Sequence, residues 1–190
     1  MSDRLSRIVT RSGDAGLTGL SDGSRVPKDA ARIAALGDID ECGSAIGLLV
    51  CELETAPPTS SGLAAELVRV QHDLFDLGGE LSLPGHAVIT EAQVARLDAW
   101  VERDNAALPP LRNFVLAGGT RAAACAHLAR TVARRAERAI VHLGQAEAVA
   151  EPVRQYINRL SDWLFVVARR LNAEAGRADV LWQQRGPGEG

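Results

Sequence analysis

The densest chemistry in this chain is cationic. Arg130, Arg134, Arg135 and Arg138 stand within nine residues, against one acid, Glu137. Arg130, Arg134, Glu137 and Arg138 follow i, i+4, i+7, i+8 spacing, so on a helix they share one face. Guanidinium groups this close repel one another unless an anion lies among them, and they are natural partners of phosphate oxygens. A solvated charged face is the plainer account of such a run. A second polar row, Asn158, Asp162, Phe165 and Arg169, repeats at nearly helical spacing. Beside the arginine face, the Asn158 amide could read a sugar hydroxyl or an adenine edge; alone it is an ordinary surface residue. A third set lies in residues 10–29, where Gly13, Gly16, Gly19 and Gly23 alternate with Thr10, Arg11, Ser12, Asp14, Thr18, Arg25 and Lys28. Amides of a glycine-rich loop, aided by hydroxyl and cationic side chains, cradle phosphate. A flexible arm has the same composition. The glycines and Pro27 argue against any regular element there.

Several familiar chemistries are missing. The loop is neither a G-x-x-x-x-G-K-[ST] phosphate loop nor a G-x-G-x-x-G dinucleotide fingerprint. His72, His86, His127 and His142 have no Glu three residues before them, which excludes the Glu-x-x-His pairs of a di-iron bundle. There is no H-E-x-x-H and no cysteine-pair zinc pattern. A G-x-S-x-G nucleophile elbow is lacking, although a dispersed Ser/His/Asp triad stays open. Cys42, Cys51 and Cys125 are an odd number without metal spacing and read as reduced, buried thiols.

The elements that must position these residues are helical. The chain has 190 residues, one ordinary domain, with 46% hydrophobic and only 4% aromatic residues. Such a core is filled by Ala, Leu, Val and Ile, which with abundant Arg and Glu favours helices. Lys plus Arg number 21 and Asp plus Glu 24, a net charge of −3, which argues against a nucleic-acid binder. No apolar run is long enough to span a bilayer and no signal segment opens the chain, so a cytoplasmic protein is expected. Helices are predicted over about 29–54, 63–81, 90–107, 120–144 and 152–176. Thr90 and Gln93 make a capping box, and Pro152 suits a first helical turn. Residues 56–62 form a loop suited to capping the second helix. In the fourth helix Val132, Ala136, Ile140 and Leu143 face the core, with Arg135 off the main stripe. In the fifth, Ile157, Leu160, Leu164, Val167 and Leu171 do. Short loops and no strand-type alternation predict an all-α, five-helix up-and-down bundle of ferritin-like type over 29–176. Residues 1–28 form an arm, and 177–190 a mobile tail.

The segments TRSGDAGLTGLSDGSRVPKD, GDIDECGSAIG, VQHDLFDLGGEL, FVLAGG, HLARTVARRAERAIV, YINRLSDWLFVVARRLN and VLW, in that order, resemble the ATP:cob(I)alamin adenosyltransferases of the PduO type. The likeness runs from Ile8 to about Trp182. It implies a homotrimer with an active site in each interface, which moves the 5′-deoxyadenosyl group of ATP to reduced cobalamin. By motif, Thr10, Arg11, Ser12, Gly13, Asp14, Thr18, Gly19 and Lys28 would hold ATP from one subunit. Arg134, Arg135, Glu137, Arg138 and Asn158 would hold it from the neighbour. Arg130 matches the first arginine of R-T-x-x-R-R-A-E-R, and Asp40 the helix-one aspartate that pairs with it across the interface. Phe114 matches the aromatic that blocks the lower face of the corrin, and Trp182 would be a lid over the same site. Mg²⁺ would ride mainly on the triphosphate, with Glu137 reaching it through water. The resemblance further implies a reduced flavoprotein as electron donor and an adenosylcobalamin-dependent enzyme as acceptor.

Two departures bear on the corrin side. The family's L-P-G-G reads Leu116-Ala117-Gly118-Gly119, which predicts a looser turn behind Phe114, and D-E-L-N-S reads Asp40-Glu41-Cys42-Gly43-Ser44. A non-catalytic adenosylcobalamin carrier, and a plain interaction bundle with a nucleotide-sensing face, are the competing readings of the same residues.

Overall fold

A computed structural model describes residues 8–54 and 62–184. Two short strands, β1 (Leu17–Gly19) and β2 (Arg25–Pro27), precede five helices: α1 (Ala31–Glu54), α2 (Leu63–Ser82), α3 (Glu91–Ala106), α4 (Arg121–Leu143) and α5 (Glu151–Glu174). The helices match the predicted spans to within about two residues. Their starts follow the local chemistry. Thr90 accepts from the Ala92 amide, and its own N–H donates to Gln93 Oε1 at 3.1 Å, closing the capping box. Thr120 accepts from the Ala123 amide, and Pro152 sits in the first turn of α5. The capping loop expected at 56–62 falls, up to residue 61, outside the described residues; Gly62 itself makes no side-chain cap.

The arm departs from expectation. It is not an irregular loop: β1 and β2 pair antiparallel, with Thr18 opposite Val26. Gly16 and Gly23, at φ 81° and 87°, provide left-handed turns at its two ends. The glycines that seemed to forbid a strand are the residues that let this hairpin close. Its tip is fastened to the end of α2, where the Ser21 amide donates to the Ser82 carbonyl at 2.9 Å and the two hydroxyls lie 2.5 Å apart.

The helices pack in the order α2, α1, α4, α5, α3, each on its neighbour. The core is aliphatic as expected, with Ile46, Leu49, Leu67, Leu77, Ile140, Ile157 and Leu164 among the fully buried side chains. Helices α1 and α2 approach closely at Gly43 and Gly47. There Gln71 Nε2 donates to the Gly43 carbonyl at 3.0 Å, and a Cβ at Gly47 would stand 3.0 Å from that nitrogen. Side chains draw α3 back onto α2: Arg96 pairs with Asp73, and Arg103 with Glu66 at 2.6 Å. Two buried carboxylates seat α5. Asp73 accepts from Tyr156 Oη at 2.8 Å. Asp104, 5% exposed, accepts from Trp163 Nε1 at 3.1 Å, from Arg103 at 2.8 Å and from Arg170 at 3.1 Å. Burial and the Asp73 carboxylate raise the Tyr156 pKa well above its ordinary value, so the hydroxyl remains a donor.

Of the three cysteines, only Cys42 is buried; Cys125 is half-buried and Cys51 exposed, so the expectation of three buried thiols holds for one. Burial pushes the Cys42 thiol up to about 12. Among the described residues, no helix is long and apolar enough to cross a membrane.

Removing this buried carboxylate leaves the buried Trp163 Nε1 without its acceptor and takes one of two carboxylate partners from Arg103 and from Arg170. Asp104→Ala should therefore lower unfolding free energy by about 3 kcal/mol, read as a lower urea midpoint. An unchanged midpoint would show that Asp104 is not the joint between α3 and α5.

Candidate functional site

The α4 arginines divide by partner. Arg135 does not join the others. It turns to α1, where its Nε donates to Asp38 at 2.9 Å and a terminal nitrogen pairs with Glu41. Arg134 and Arg138 are exposed, and Arg138 donates to the Arg134 carbonyl at 3.2 Å. Glu137, between them, accepts from Asn158 Nδ2 at 2.8 Å, which fastens α4 to α5. Arg130 is half-buried; its Nε is shielded from solvent and has no hydrogen-bond partner among the described residues. Burial, then the neighbouring Arg134 charge, lowers its pKa. Arg130 and Arg134 line a cleft of about 290 Å³ with Val101, Asn105, Ser161, Asp162, Phe165 and Val166. The α4 face thus presents three guanidinium groups, and α5 sets the Asn158 amide and the Phe165 ring beside them, with Glu137 already engaged.

The arm forms a second cluster of donors. Arg11 adopts a left-handed φ of 59°, and the Thr10 and Ser12 hydroxyls lie 2.9 Å apart. Arg25 clamps the hairpin by donating to the Ser12 carbonyl at 2.6 Å and the Leu17 carbonyl at 3.2 Å. Lys28 donates its amide to the Gly16 carbonyl at 2.9 Å and lays its side chain over Gly13, where a Cβ would stand 2.9 Å from Nζ. The residue at 13 must be glycine for the lysine to lie there. Asp14 is exposed, Thr18 half-buried in β1 and Gly19 exposed beside it. Next to the arm's tip, Asp40 is exposed on the wall of a cavity of about 810 Å³ between α1 and α2, with Ser21, Ser44, Gln71, Phe75 and His86. That cavity has no α4 or α5 residue in its wall, and the arginine cleft has none from the arm, α1 or α2. Within one chain, Asp40 and Arg130 face different cavities.

Phe114 is 79% exposed on the connection between α3 and α4. Its ring meets Trp182 edge-on, with centroids 6.5 Å apart. Residues 177–184 of the expected tail are tied down. The Trp182 amide donates to the Phe114 carbonyl at 2.7 Å and the Leu116 amide to the Val180 carbonyl at 2.8 Å, with Val115 bridged to Leu181. Residues 185–190 lie outside those described. Arg169, expected on the polar row of α5, instead turns inward. At 3% exposed, it donates to Asp179 at 2.8 Å and to the Pro109 carbonyl at 2.7 Å. The turn behind Phe114 is not loose either. Gly118 and Gly119 take φ 151° and 105°, and buried Asn172 donates to the Gly118 carbonyl and accepts from the Thr120 amide. A Cβ at Gly119 would collide with the Asn172 side chain.

Sequence reasoning missed His127, Asn113, Asn172 and the Arg169–Asp179 pair. Only His127 offered a signal, an imidazole one turn before Arg130 on an alanine-rich helix. It is 3% exposed, neither ring nitrogen has a hydrogen-bond partner among the described residues, and its ring lies edge-on to Phe165 at 6.2 Å.

The family model described as cobalamin adenosyltransferase matches residues 8–171. The chain belongs to the cobalamin adenosyltransferase family. It is 59% identical over 184 residues to a cobalamin adenosyltransferase of Cupriavidus metallidurans, covering 97% of this chain and 98% of that one. It is 41% identical over 181 residues to a corrinoid adenosyltransferase of Bacillus subtilis, covering 94% and 93%. Its fold matches a solved variant of the PduO-type ATP:corrinoid adenosyltransferase of Lactobacillus reuteri, complexed with cobalamin and ATP. The TM-score is 0.88 at 33% identity, with 93% of this chain and 97% of that one covered. The family's five-helix bundle is the fold described above.

Burial, then the Arg130 charge, holds the His127 pKa below its ordinary 6.5. The unfolded chain therefore takes up this proton first, so the associated stability is present above about pH 6.5 and is lost as pH falls through the lowered value. The melting temperature should drop between pH 7 and pH 5.5, and His127→Leu should flatten part of that drop. Equal slopes in the two proteins would remove His127 from the account.

Proposed function

We propose that this chain transfers the 5′-deoxyadenosyl group of ATP to the cobalt of cob(I)alamin and releases triphosphate. The observation that carries the reading is the α4 face. It gathers cations around Glu137 and Asn158, on a fold that aligns over nearly its whole length with a chain solved with cobalamin and ATP. In the reaction cob(I)alamin attacks C5′ with its electron pair. A cobalt–carbon bond forms, the C5′–oxygen bond breaks, and negative charge gathers on the triphosphate. Groups already aimed at that charge lower the barrier, and no proton need move.

In this reading the arm (Thr10 to Asp14, Thr18, Gly19 and Lys28) grips the phosphates of ATP. Arg134, Arg138, Glu137 and Asn158 close on it from a neighbouring subunit. Arg135 serves that face indirectly, by fixing α4 on α1 through Asp38 and Glu41. The separation of the two cavities within one chain supports a homotrimer with interfacial sites, because Arg130 and Asp40 then complete each other's environment. Arg130 brings a partnerless Nε to that meeting, and Asp40 an exposed carboxylate. Phe114 lies under the corrin and keeps the lower ligand and water off cobalt, leaving a four-coordinate Co(II) that is easier to reduce; Trp182 covers the site. The donor set suits Mg²⁺ carried on triphosphate oxygens and waters, with Glu137 in reach through water, since no three His, Cys, Asp or Glu cluster among the described residues. The protein works in the cytoplasm, with a reduced flavoprotein supplying the electron and an adenosylcobalamin-dependent enzyme taking the product.

The test is an absorbance assay in which ATP and chemically reduced cobalamin are mixed with the protein and loss of cob(I)alamin is followed. Turnover to adenosylcobalamin is expected, and folded, ATP-binding protein that gives none would end the proposal. Arg134→Ala should cut kcat/KM by about 10²–10³-fold while leaving helix content intact, because Ala is the better helix former. A near-normal rate would refute the role given to Arg134.

A further inference from the structure

Phe114 poses a mechanical problem. A ring 79% exposed gains little from burial, so core packing cannot decide where it stands. It lies on a connection with no helix or strand of its own. What holds its backbone is the chain's C-terminal segment, 66 residues or so further on by sequence and beside it in space.

We infer that residues 177–184 are a strap that positions Phe114, and that Arg169 and Asp179 are its anchor. The strap is joined to the Phe114 connection along its length. At the root, the Arg177 amide donates to the Asn172 carbonyl at 2.8 Å, and the Arg177 side chain to the Gly119 carbonyl at 3.1 Å. In the middle, one buried guanidinium serves both segments: Arg169 binds Asp179 of the strap and the Pro109 carbonyl of the connection. At the far end the backbone bonds of Leu116 and Trp182 flank the Val115–Leu181 bridge. Asn113 closes the ladder: its Oδ1 accepts from the Phe114 amide at 2.8 Å and its Nδ2 donates to the Trp182 carbonyl at 2.7 Å. Both backbone polar groups of Phe114 are thereby engaged, one by Asn113 and one by the strap. The geometry makes Arg169, Asp179 and Asn113 positioning residues, which act on cobalt through Phe114 without touching a substrate. Arg169, 3% exposed, is engaged by Asp179 and the Pro109 carbonyl, which separates it from the outward-facing arginines of α4.

This inference rests on the reading of Phe114 as the group beneath the corrin. It separates two duties of the same segment: the Trp182 ring can cover a site, whereas the backbone and the Asp179 anchor hold the wedge. Charge-assisted pairs on a buried cation are directional, so losing Asp179 releases the strap from the guanidinium and leaves that cation without its counter-charge.

The test uses the full-length protein with ATP and cob(II)alamin, and reads the four-coordinate Co(II) fraction by its low-spin electron paramagnetic resonance signature. Five variants are compared: Phe114→Ala, Asp179→Ala, Asp179→Glu, Asn113→Ala and Trp182→Ala. Asn113 is exposed, so its variant folds even if the Asp179 variant does not. Asp179→Ala and Asn113→Ala should each lower the four-coordinate fraction about threefold or more, at unchanged ATP affinity. Both should speed hydrogen exchange at the Leu116 and Trp182 amides, and Asp179→Glu should recover part of the loss. Trp182→Ala, which keeps the backbone ladder, should retain slow exchange at Leu116. If Phe114→Ala lowers the fraction and the two strap variants do not, the strap inference is wrong while the Phe114 reading stands. If Phe114→Ala leaves the fraction unchanged, the Phe114 reading fails and the strap's purpose fails with it. Exchange that stays slow in Asp179→Ala would overturn the anchor.

Discussion

A helix packed by aliphatic side chains can slide along its neighbours at modest cost, because Leu, Ile and Val fit one another in several registers. Hydrogen bonds cannot, since their geometry is directional. In this bundle α5 is the helix on which the rest depends, and polar side chains hold it along its whole length. Tyr156 reaches Asp73 on α2, Asn158 reaches Glu137 on α4, and Trp163 reaches Asp104 on α3. Arg169 reaches Asp179 and Pro109, and Asn172 reaches Gly118 and Thr120. A slip by one turn, about 5.4 Å, would break every one of these and leave buried groups unpaired. One helix therefore sets the places of the amide beside the arginine face, the aromatic edge of the cleft and the turn that carries Phe114.

The same economy separates structural from functional charge. Four of the five arginines on α4 crowd into residues 130–138, but they are not equivalent. Arg135 is satisfied by Asp38 and Glu41, and its work is to seat α4 on α1. Glu137 is held by Asn158 and so cannot fold back to neutralise Arg134 or Arg138. The candidate site is what the fold leaves unmatched: Arg130 with a shielded, partnerless nitrogen, and Arg134 and Arg138 facing outward.

Local rules carried the sequence a long way. The capping box at Thr90, Pro152 in a first turn and the Val132-Ala136-Ile140-Leu143 stripe each depend on residues within a turn or two, and each stands in the structure as read. The arm was misread because two glycines counted as strand breakers supply the left-handed turns of a hairpin only three residues deep. Non-local pairing was invisible. Asp38 is 97 residues from Arg135, and the strap that reaches Phe114 reads, in sequence, as a mobile tail. Which arginine of a charged run is spent on the fold depends on what folds against it, and no spacing rule supplies that. The resemblance supplied the cobalamin side, because nothing in the residue types alone distinguishes an exposed Phe114 from a misplaced core aromatic.

The pairing of Arg135 with α1 also shapes how far the arginine face is felt. The chain as a whole carries −3, and two of the five guanidinium groups on α4, those of Arg121 and Arg135, are paired within it. At an ionic strength near 0.15 M, fields between exposed charges fade over about 8 Å. A polyanion in solution therefore meets a nearly silent surface until it is almost in contact, and only then a dense cluster of donors. Such a face selects after collision rather than drawing its ligand from afar, so added salt acts more on how long the ligand stays than on how often it arrives.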